Sequence, residues 1–418
     1  MRIVLCGLNY APEPIGTARY TTGLAEFLAA RGHKVRVIAG EPYYPDWRPW
    51  EGHAGWTRET RENLEIWRVP HFIPRHPTGI GRLLQHLSFI LAALPILLWA
   101  VLFWRPERVI AIAPCLIAAP AALLAARLSG AQAWLHLQDF ELEAAQATGH
   151  VSRHPTLARL LLGIERMVLR GFDRLSSISP AMCRRLAEKG IEPFRISEQR
   201  NWADLDAIAP FDRPSAYRKR WKIRTPHVAL YSGAMGRKQG LELVVKTARR
   251  LAHRKDLTFV LCGNGPYRAE LEAMAGGLEN IRFFDLQPAE ELGELLALAS
   301  VHILPQIEGA ADLVLPSKLP NMLASGRPIV ATAQAGTGLF DEVSGCGLTV
   351  EPGNAAALGA AIAELCDKPE LAQKFGLAAR RRAETRWHGP AILAVFASAI
   401  EGVAPSTVSS PAYAGEPG

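Results

Sequence analysis

Apolar positions along the chain follow two alternating rhythms. Short unbroken apolar runs predict buried strands, and longer stretches with apolar residues three and four apart predict helices. Arg2-Ile3-Val4-Leu5-Cys6 is a run of the first kind. Pro12, Pro14 and Gly16 make the loop after it, and Thr17–Arg31 then carries Tyr20, Leu24, Phe27 and Leu28 on one helical face. The helix stops at Gly32, and HKVRVIAG (33–40) is the next strand. Strand, loop, helix and strand make a βαβ unit, which predicts a parallel sheet.

The rhythm continues with a strand in ERVIAIAP (107–114), a helix in CLIAAPAALLAARLSG (115–130) and a strand in AQAWLHLQDF (131–140). After a long helical region, RLSSISP (174–180) reads as a strand, with Ser179 as N-cap and Pro180 in the first turn of a helix over Ala181–Lys189. A second series starts near Val228. HVALYSGAMG (227–236), LTFVLCGNG (257–265), IRFFDL (281–286) and VHILPQ (301–306) are strands. LELVVKTARRLA (241–252), YRAELEAMA (267–275) and AEELGELLALA (289–299) are the helices between them. Each half is therefore a βαβ array, and the join falls near Asn201–Pro214. The expected fold class is α/β, two doubly wound Rossmann-like domains facing across a cleft. In such sheets ligands sit beyond the carboxyl ends of the strands.

Composition narrows the field. With 418 residues, 49% of them hydrophobic, two domains with sizeable cores are expected. A net charge of +7 with no dense Lys/Arg block argues against a nucleic-acid partner and fits a phosphate-bearing ligand or an anionic membrane surface. Six scattered cysteines without a CxxC pair are expected to be buried thiols in a reducing cytoplasm. Met1-Arg2 leads straight into the first strand, so no signal peptide is expected. The tail from about Ala404, rich in Pro, Ser, Gly and Ala, reads as disordered.

Four loops at strand ends carry phosphate-binding chemistry. Gly16, in Pro14-Ile15-Gly16-Thr17, would let a ligand approach the first helix mouth, although for this loop alone a plain βα turn is the simpler reading. SGAMGRKQG (232–240) supplies glycine N–H groups together with Arg237 and Lys238; a solvated basic turn is the alternative. Gly263-Asn264-Gly265, in CGNGP, can lay backbone against a flat ring. In LVLPSKLPNMLASGRPIVAT (313–332), Ser317 is expected to cap a helix, Pro320 to lie in its first turn and Gly326 to close it, with Lys318 beside the free N–H groups. Lys238 and Lys318 together would suit a diphosphate without a metal. No histidine cluster demands one, so no cofactor and no metal are expected.

Taken together, these residues resemble a retaining GT-B glycosyltransferase of family 4, in its colanic-acid and exopolysaccharide branch. The resemblance covers about Arg2 to Phe396. It rests on NYAPEPIGTARYTTGLAEFLAARGHKV, LHLQDFELEAA, SISPAM, NWAD, YSGAMGRKQGLE, LCGNGP, LVLPSKLPNMLASGRPIVAT and a late TRW, in this order and spacing. It implies an acceptor-side domain over 1–203, a nucleotide-sugar domain over 204–385, a helix crossing back over 386–403 and a tail over 404–418. It implies further that Lys238 contacts the donor diphosphate, that Gly263-Asn264-Gly265 and the Asp285–Gln287 loop line the nucleoside, and that Gly16 reaches the phosphates. Trp387 would mark the helix that crosses back. Asp139 and Glu141 would position the acceptor; helix capping or ion pairing is their plainer alternative. The leaving diphosphate would be stabilised by Lys238, Lys318 and helix dipoles.

The chain also departs from the family's general pattern. Two glutamates eight residues apart in many members are here Leu313 and Asn321, with Asp312 beside the first. The arginine usual after the SG of the basic loop is Ala234, with Arg237 nearby, and a common His-Asp pair reads Gln138-Asp139. These read as features of the branch. A nucleotide-sugar epimerase on the same fold, and a non-catalytic membrane-bound partner of a transferase, are the rival functions.

One stretch belongs to neither rhythm. Leu87–Trp104 is eighteen residues without a charge, interrupted by Pro95 and flanked by Arg75, Arg82 and Arg105. A spanning helix needs about 20 residues. The expectation is a helix or helical pair lying in the membrane interface within 80–105, with Phe89, Leu98 and Phe103 toward lipid; a buried core helix is the alternative. The protein is then expected at the inner face of the cell membrane, meeting a sugar acceptor held on a polyprenyl diphosphate.

Overall fold

The structure is a computed structural model, and it describes residues 1–14, 16–75, 79–113, 116–140, 155–307 and 315–403. Two parallel sheets organise them. The first comprises β1 (Arg2–Cys6), β2 (Lys34–Gly40), β3 (Thr57–Arg61), β4 (Leu64–Val69), β5 (Arg108–Ala113), β6 (Gln132–Leu137), β7 (Arg174–Ser177) and β8 (Ile196–Glu198), in the order β3-β4-β2-β1-β5-β6-β7-β8. The second comprises β9 (His227–Ser232), β10 (Leu257–Cys262), β11 (Ile281–Phe284), β12 (Val301–Leu304), β13 (Ile329–Thr332) and β14 (Gly347–Val350), in the order β11-β10-β9-β12-β13-β14. All pairings are parallel except β3 with β4.

The central strands are buried on both faces, which is why their sequences read as continuous apolar runs. Every residue of β10 is buried. The β3–β4 hairpin, absent from the sequence expectations, is an edge. Its outer strand is Thr-Arg-Glu-Thr-Arg and largely exposed, the charged composition that keeps a free edge from pairing with another chain. It lacks the apolar run by which the central strands were found.

Each sheet reverses direction once. The chain proceeds outward from β1 through β2 on one side and from β5 through β6 on the other. In the second sheet the reversal lies between the paired strands β9 and β12. Loops following β9 and β12 therefore diverge to opposite faces and leave a crevice between them.

The halves are joined twice. Asn201–Ala203 leaves the first sheet, and Ala203 N–H donates to the Trp387 carbonyl at 2.9 Å where the chain returns. Beyond that point the helix Gly389–Glu401 places Leu393, Phe396, Ala397 and Ile400 in the first domain's core, against Ile3, Leu5 and Trp134. Trp202 fits between two glycines: a Cβ at Gly23 would lie 2.6 Å from its ring, and one at Gly389 2.8 Å. Between the halves, Arg200 pairs with Glu342 at 2.7 Å, and Arg19 with Asp204 at 3.3 Å.

Pro95 does not interrupt the apolar helix. The α-helix runs through it, Gly79–Trp99, and a π turn extends it over Ala100–Trp104. The proline lies on an exposed face, so its missing N–H and displaced neighbours are accommodated outside the core. By length and composition the segment could cross a membrane. One stripe, including Phe89, Ala93, Leu97 and Ala100, is buried in the first domain's core. The opposite stripe exposes Leu84, Leu87, Leu91, Leu98, Leu102 and Phe103. Phe89 is thus a core residue and not lipid-facing, while Leu98 and Phe103 remain exposed.

Of the cysteines, Cys6, Cys262, Cys346 and Cys366 are buried free thiols, and Cys183 is a half-buried one. Burial pushes the Cys6 thiol up to about 12, so it stays protonated and unreactive. The tail beyond Val403 and Cys115 lie outside the described residues.

Candidate active site

Lys318 and Lys238 converge at the β9/β12 crevice. Lys238 lies on a short 3-10 turn, Arg237–Gln239, between Gly236 and Gly240, and its side chain is exposed. Lys318 comes from beyond β12 and is half-buried. Its Nζ donates to the Tyr231 hydroxyl at 2.6 Å and lies 4.0 Å from the centre of that ring. The hydroxyl in turn donates to the Ala234 carbonyl at 2.5 Å. This chain fixes the hydroxyl's lone pairs toward the lysine. Burial, and after it the charge of Lys238, push the Lys318 ammonium pKa down to about 7. Among the described residues no carboxylate pairs with either lysine.

The residue at the strand end, Gly233, completes the cluster. Its φ of +135° requires glycine, and Lys318 Nζ lies 2.8 Å from where a Cβ would stand. Gly263 is required for a different reason from the one its sequence suggests. A Cβ there would lie 2.0 Å from the Gly233 carbonyl oxygen. The close approach is between two protein loops, zipped by Gly233 N–H to Cys262 O and Met235 N–H to Asn264 O, each 2.9 Å. The Asn264 side chain accepts from Arg268 at 2.6 Å. Gln287 accepts from the Tyr217 hydroxyl at 3.2 Å and donates to the Asp285 carbonyl at 2.7 Å. These contacts shape a rim at the ends of β10 and β11.

Two expectations change in detail. Ser317 does not cap: the N-cap is Lys318, the helix Leu319–Ala324 has only six residues, and no side chain caps it. The helix term is correspondingly small, and the lysine charge itself dominates. Gly326 does close the helix in the left-handed region, with φ +65°. Arg237 turns away from the lysine pair to Glu270 at 2.6 Å, over the Tyr267 ring. Asn321 has a buried Oδ1 with no partner, so a donor from a ligand would satisfy it.

The first domain brings Gly16 to this cluster. Gly16 opens the helix Gly16–Ala30, and a Cβ there would stand 3.6 Å from both Cβ and Oγ of Ser317. The loop carrying it is anchored by Glu13, a buried carboxylate that accepts from Tyr43 and Tyr44 N–H at 3.0 and 3.1 Å and from Asn9 at 2.9 Å.

At the end of β6 the chain places a buried polar relay. Asn201 donates to Gln138 at 2.9 Å, Gln138 contacts His136 Nε2 at 3.0 Å, and His136 Nδ1 contacts Ser176 at 2.9 Å, which also accepts from Trp134 at 2.8 Å. Burial pushes His136 down to about 4, so it is neutral and its Nε2 accepts from the Gln138 amide. Gln138 is committed to this strut, which ties β6 to the interdomain segment. Asp139 follows it, half-buried. Glu141 and Asp312 lie outside the described residues. Tyr231, Glu13 and the relay were not anticipated. They are ordinary residues within apolar runs or turns, and only folding shows what they contact.

Two doubly wound domains joined by a double crossing, with a cationic crevice at the switch point of the second, define a GT-B glycosyltransferase fold. Residues 16–202 match the glycosyl transferase 4-like domain, and residues 226–368 match glycosyl transferases group 1. The chain is 37% identical over 96% of its length to the whole of the putative colanic acid biosynthesis glycosyl transferase WcaI of Escherichia coli K12. The protein belongs to the group 1, family 4-type glycosyltransferases. Sucrose-phosphate synthase from Thermosynechococcus elongatus shares the fold at a TM-score of 0.76 and 18% identity, over 96% of this chain and 98% of that one. Anabaena HepE in complex with UDP-glucose does so at 0.68 and 14%, over 96% and 100%.

Proposed function

We propose that this glycosyltransferase moves a sugar from a nucleoside-diphosphate donor to a saccharide acceptor carried on a polyprenyl diphosphate, in the assembly of an exopolysaccharide. The observation that carries this reading is the Lys318–Lys238 pair at the β9/β12 crevice, uncompensated by any described carboxylate and faced by Gly16. The WcaI likeness supports the polysaccharide pathway, and the UDP-glucose complex of HepE supports a nucleotide-sugar donor.

In the proposed reaction the acceptor oxygen bonds to the anomeric carbon from the face that the diphosphate leaves, giving retention. The anomeric C–O bond breaks, its electrons go to the diphosphate, and the acceptor proton passes to the leaving phosphate oxygen. Lys238 and Lys318 stabilise that developing charge without a metal or cofactor. Asn321 accepts from a donor hydroxyl, and Asp139 with Glu141 orients the acceptor. Asp312 is the remaining carboxylate candidate on the sugar side.

The exposed stripe of the Gly79–Trp104 segment supports peripheral contact with the inner membrane face, where a lipid-linked acceptor resides. Radiolabelled nucleotide sugars offered with lipid-linked acceptor in membranes test the whole reading. Label should enter the lipid fraction with its anomeric configuration kept, and chelator should leave transfer intact. Free or epimerised sugar without lipid labelling would refute it.

A further inference from the structure

A large open cavity among the described residues lies away from the lysine crevice. It measures 1310 Å³ and lies at the opposite, amino-terminal edge of the second sheet, where His227 starts β9, Ser300 precedes β12 and Pro328 precedes β13. The helix Pro369–Arg386 forms its other wall. Six lysine and arginine side chains line it (Arg327, Lys374, Arg380, Arg381, Arg382 and Arg386) against two carboxylates, Glu370 and Glu384. Arg386 is also paired with the Glu342 carboxylate, which leaves an excess of three positive charges in a concave site.

Half of those cations are already employed. Arg380 holds Glu384 at 2.7 Å and the carbonyls of Ile208 and Ala324. Arg382 donates to the Glu342 carbonyl at 2.7 Å, and Arg386 pairs with the Glu342 carboxylate at 3.2 Å. The side chains of Arg327, Lys374 and Arg381 have no hydrogen bond or ion pair among the described residues. Arg327 stands out because it is half-buried and its Nε is enclosed without a partner. Its backbone is fixed between Gly326, at φ +65°, and the buried Pro328. A Cβ on Gly326 would lie 2.8 Å from Pro210 of the interdomain segment. Burial lowers the Arg327 pKa, with no acidic neighbour to restore it. A fixed, partly desolvated guanidinium without an acceptor is costly unless an anion joins it.

We propose that this pocket is a second ligand site of the protein, taking a phosphate-bearing small molecule through Arg327, Lys374 and Arg381. A planar guanidinium matches two phosphate oxygens at once, and the charge excess suits a ligand with several negative charges. The cavity exceeds the roughly 300–1,000 Å³ usual for a small-molecule pocket, so the ligand occupies the part of it lined by these three side chains. The site is separate from the donor crevice, and one short helix lies between them. Lys318 caps the helix Leu319–Ala324 at one end, and Gly326-Arg327 follows its other end.

The full chain carrying Lys238→Ala and Lys318→Ala should be titrated with tripolyphosphate by calorimetry at physiological ionic strength. Binding should persist there, because the crevice lysines are not part of this pocket. Adding Arg327→Gln should weaken it at least tenfold. Because that residue is half-buried, the exposed pair Lys374→Gln/Arg381→Gln provides a second arm that leaves packing untouched, and it should weaken binding comparably. Loss of all binding in the crevice double variant would overturn the proposal, as would affinity unchanged in the folded pocket variants. An equal response to sulfate at matched ionic strength would also overturn it, since that is general screening.

Discussion

Lys318 Nζ donates to the hydroxyl of Tyr231 at 2.6 Å while lying over the same ring at 4.0 Å. One residue follows β12 and the other ends β9, so this contact spans the switch point of the second sheet. It holds the ammonium in place before any ligand arrives. Replacing Lys318 by alanine should weaken binding of a nucleoside diphosphate by about 1.5–3 kcal/mol, the usual size of a hydrogen bond to a charged group. That is roughly a 10- to 150-fold rise in Kd. Lys238→Ala should suppress transfer severely in a folded protein. Titration of the bare nucleotide separates the two effects, and unchanged affinity in Lys318→Ala removes that residue from the site.

The depressed Lys318 pKa, about 7, gives a pH signature. Above that value the free ammonium is increasingly neutral, whereas a bound diphosphate restores its charge. Binding must therefore take up a proton, and affinity should fall with rising pH between about 7 and 9, by up to tenfold per unit. The sign is opposite for stability. The unfolded lysine keeps its proton to higher pH than the folded one, so the folded state gains stability as pH rises from about 7 toward the ordinary lysine value. Calorimetry in buffers of different ionisation enthalpy measures the uptake. A flat profile, lost neither in Lys318→Ala nor in the parent, would show that the ammonium is charged throughout.

Much of the architecture was legible because parallel sheets buried on both faces require apolar runs, and such runs are visible. β9, β10 and β12 needed no partner to be found. The β3–β4 hairpin was invisible because its outer strand is charged. The lysines of the crevice were legible from their loops, but the roles of neighbouring residues were not. Gly263 looked like a ligand-facing glycine and meets Gly233 instead. Ser317 looked like a helix cap and stands against Gly16 from the other half. Contacts of this kind join segments from about thirty to about three hundred positions apart, and no local pattern encodes them.

Gly263→Ala tests the loop-to-loop contact. Its new methyl would stand 2.0 Å from the Gly233 carbonyl oxygen, a backbone atom that cannot rotate aside. Overpacking costs about 1–3 kcal/mol where side chains can move, so the loss here should reach at least the upper figure. Both loops should separate, and nucleotide binding should fall with thermal stability. A variant with the parent's melting temperature would mean that the loops are not packed as described.

The Arg200–Glu342 pair ties the two halves together at 2.7 Å, with side chains only 13% and 5% exposed. Removing one member of a buried pair typically costs about 3–5 kcal/mol because its partner is left charged and dry. Glu198 also contacts Arg200, so Glu342→Ala should fall at the low end of that range. Denaturant unfolding should show the first transition displaced to lower concentration, and Glu342→Gln should recover part of the loss. Equal stability of all three proteins would mean that the ion pair is solvated in solution.

Membrane contact by the Gly79–Trp104 segment can be separated from its packing role, because the two stripes carry different residues. Phe89 is fully buried, so serine there would damage the core and prove nothing about lipid. Leu91, Leu98 and Phe103 are 66%, 45% and 73% exposed, so serine at these positions removes apolar area that faces outward. Interfacial binding grows with buried apolar area and with attraction of nearby basic groups to anionic lipid. The triple serine variant should therefore move to the soluble fraction with its fold intact. High salt should release the parent only in part, since screening removes the charge contribution and leaves the apolar one. Sedimentation after membrane fractionation, with circular dichroism of the variant, measures both. A parent that is wholly soluble without detergent would mean the exposed stripe meets no membrane. A parent that resists both salt and alkaline carbonate would mean that the helix spans the bilayer, and its buried stripe would then have to leave the core of the first domain.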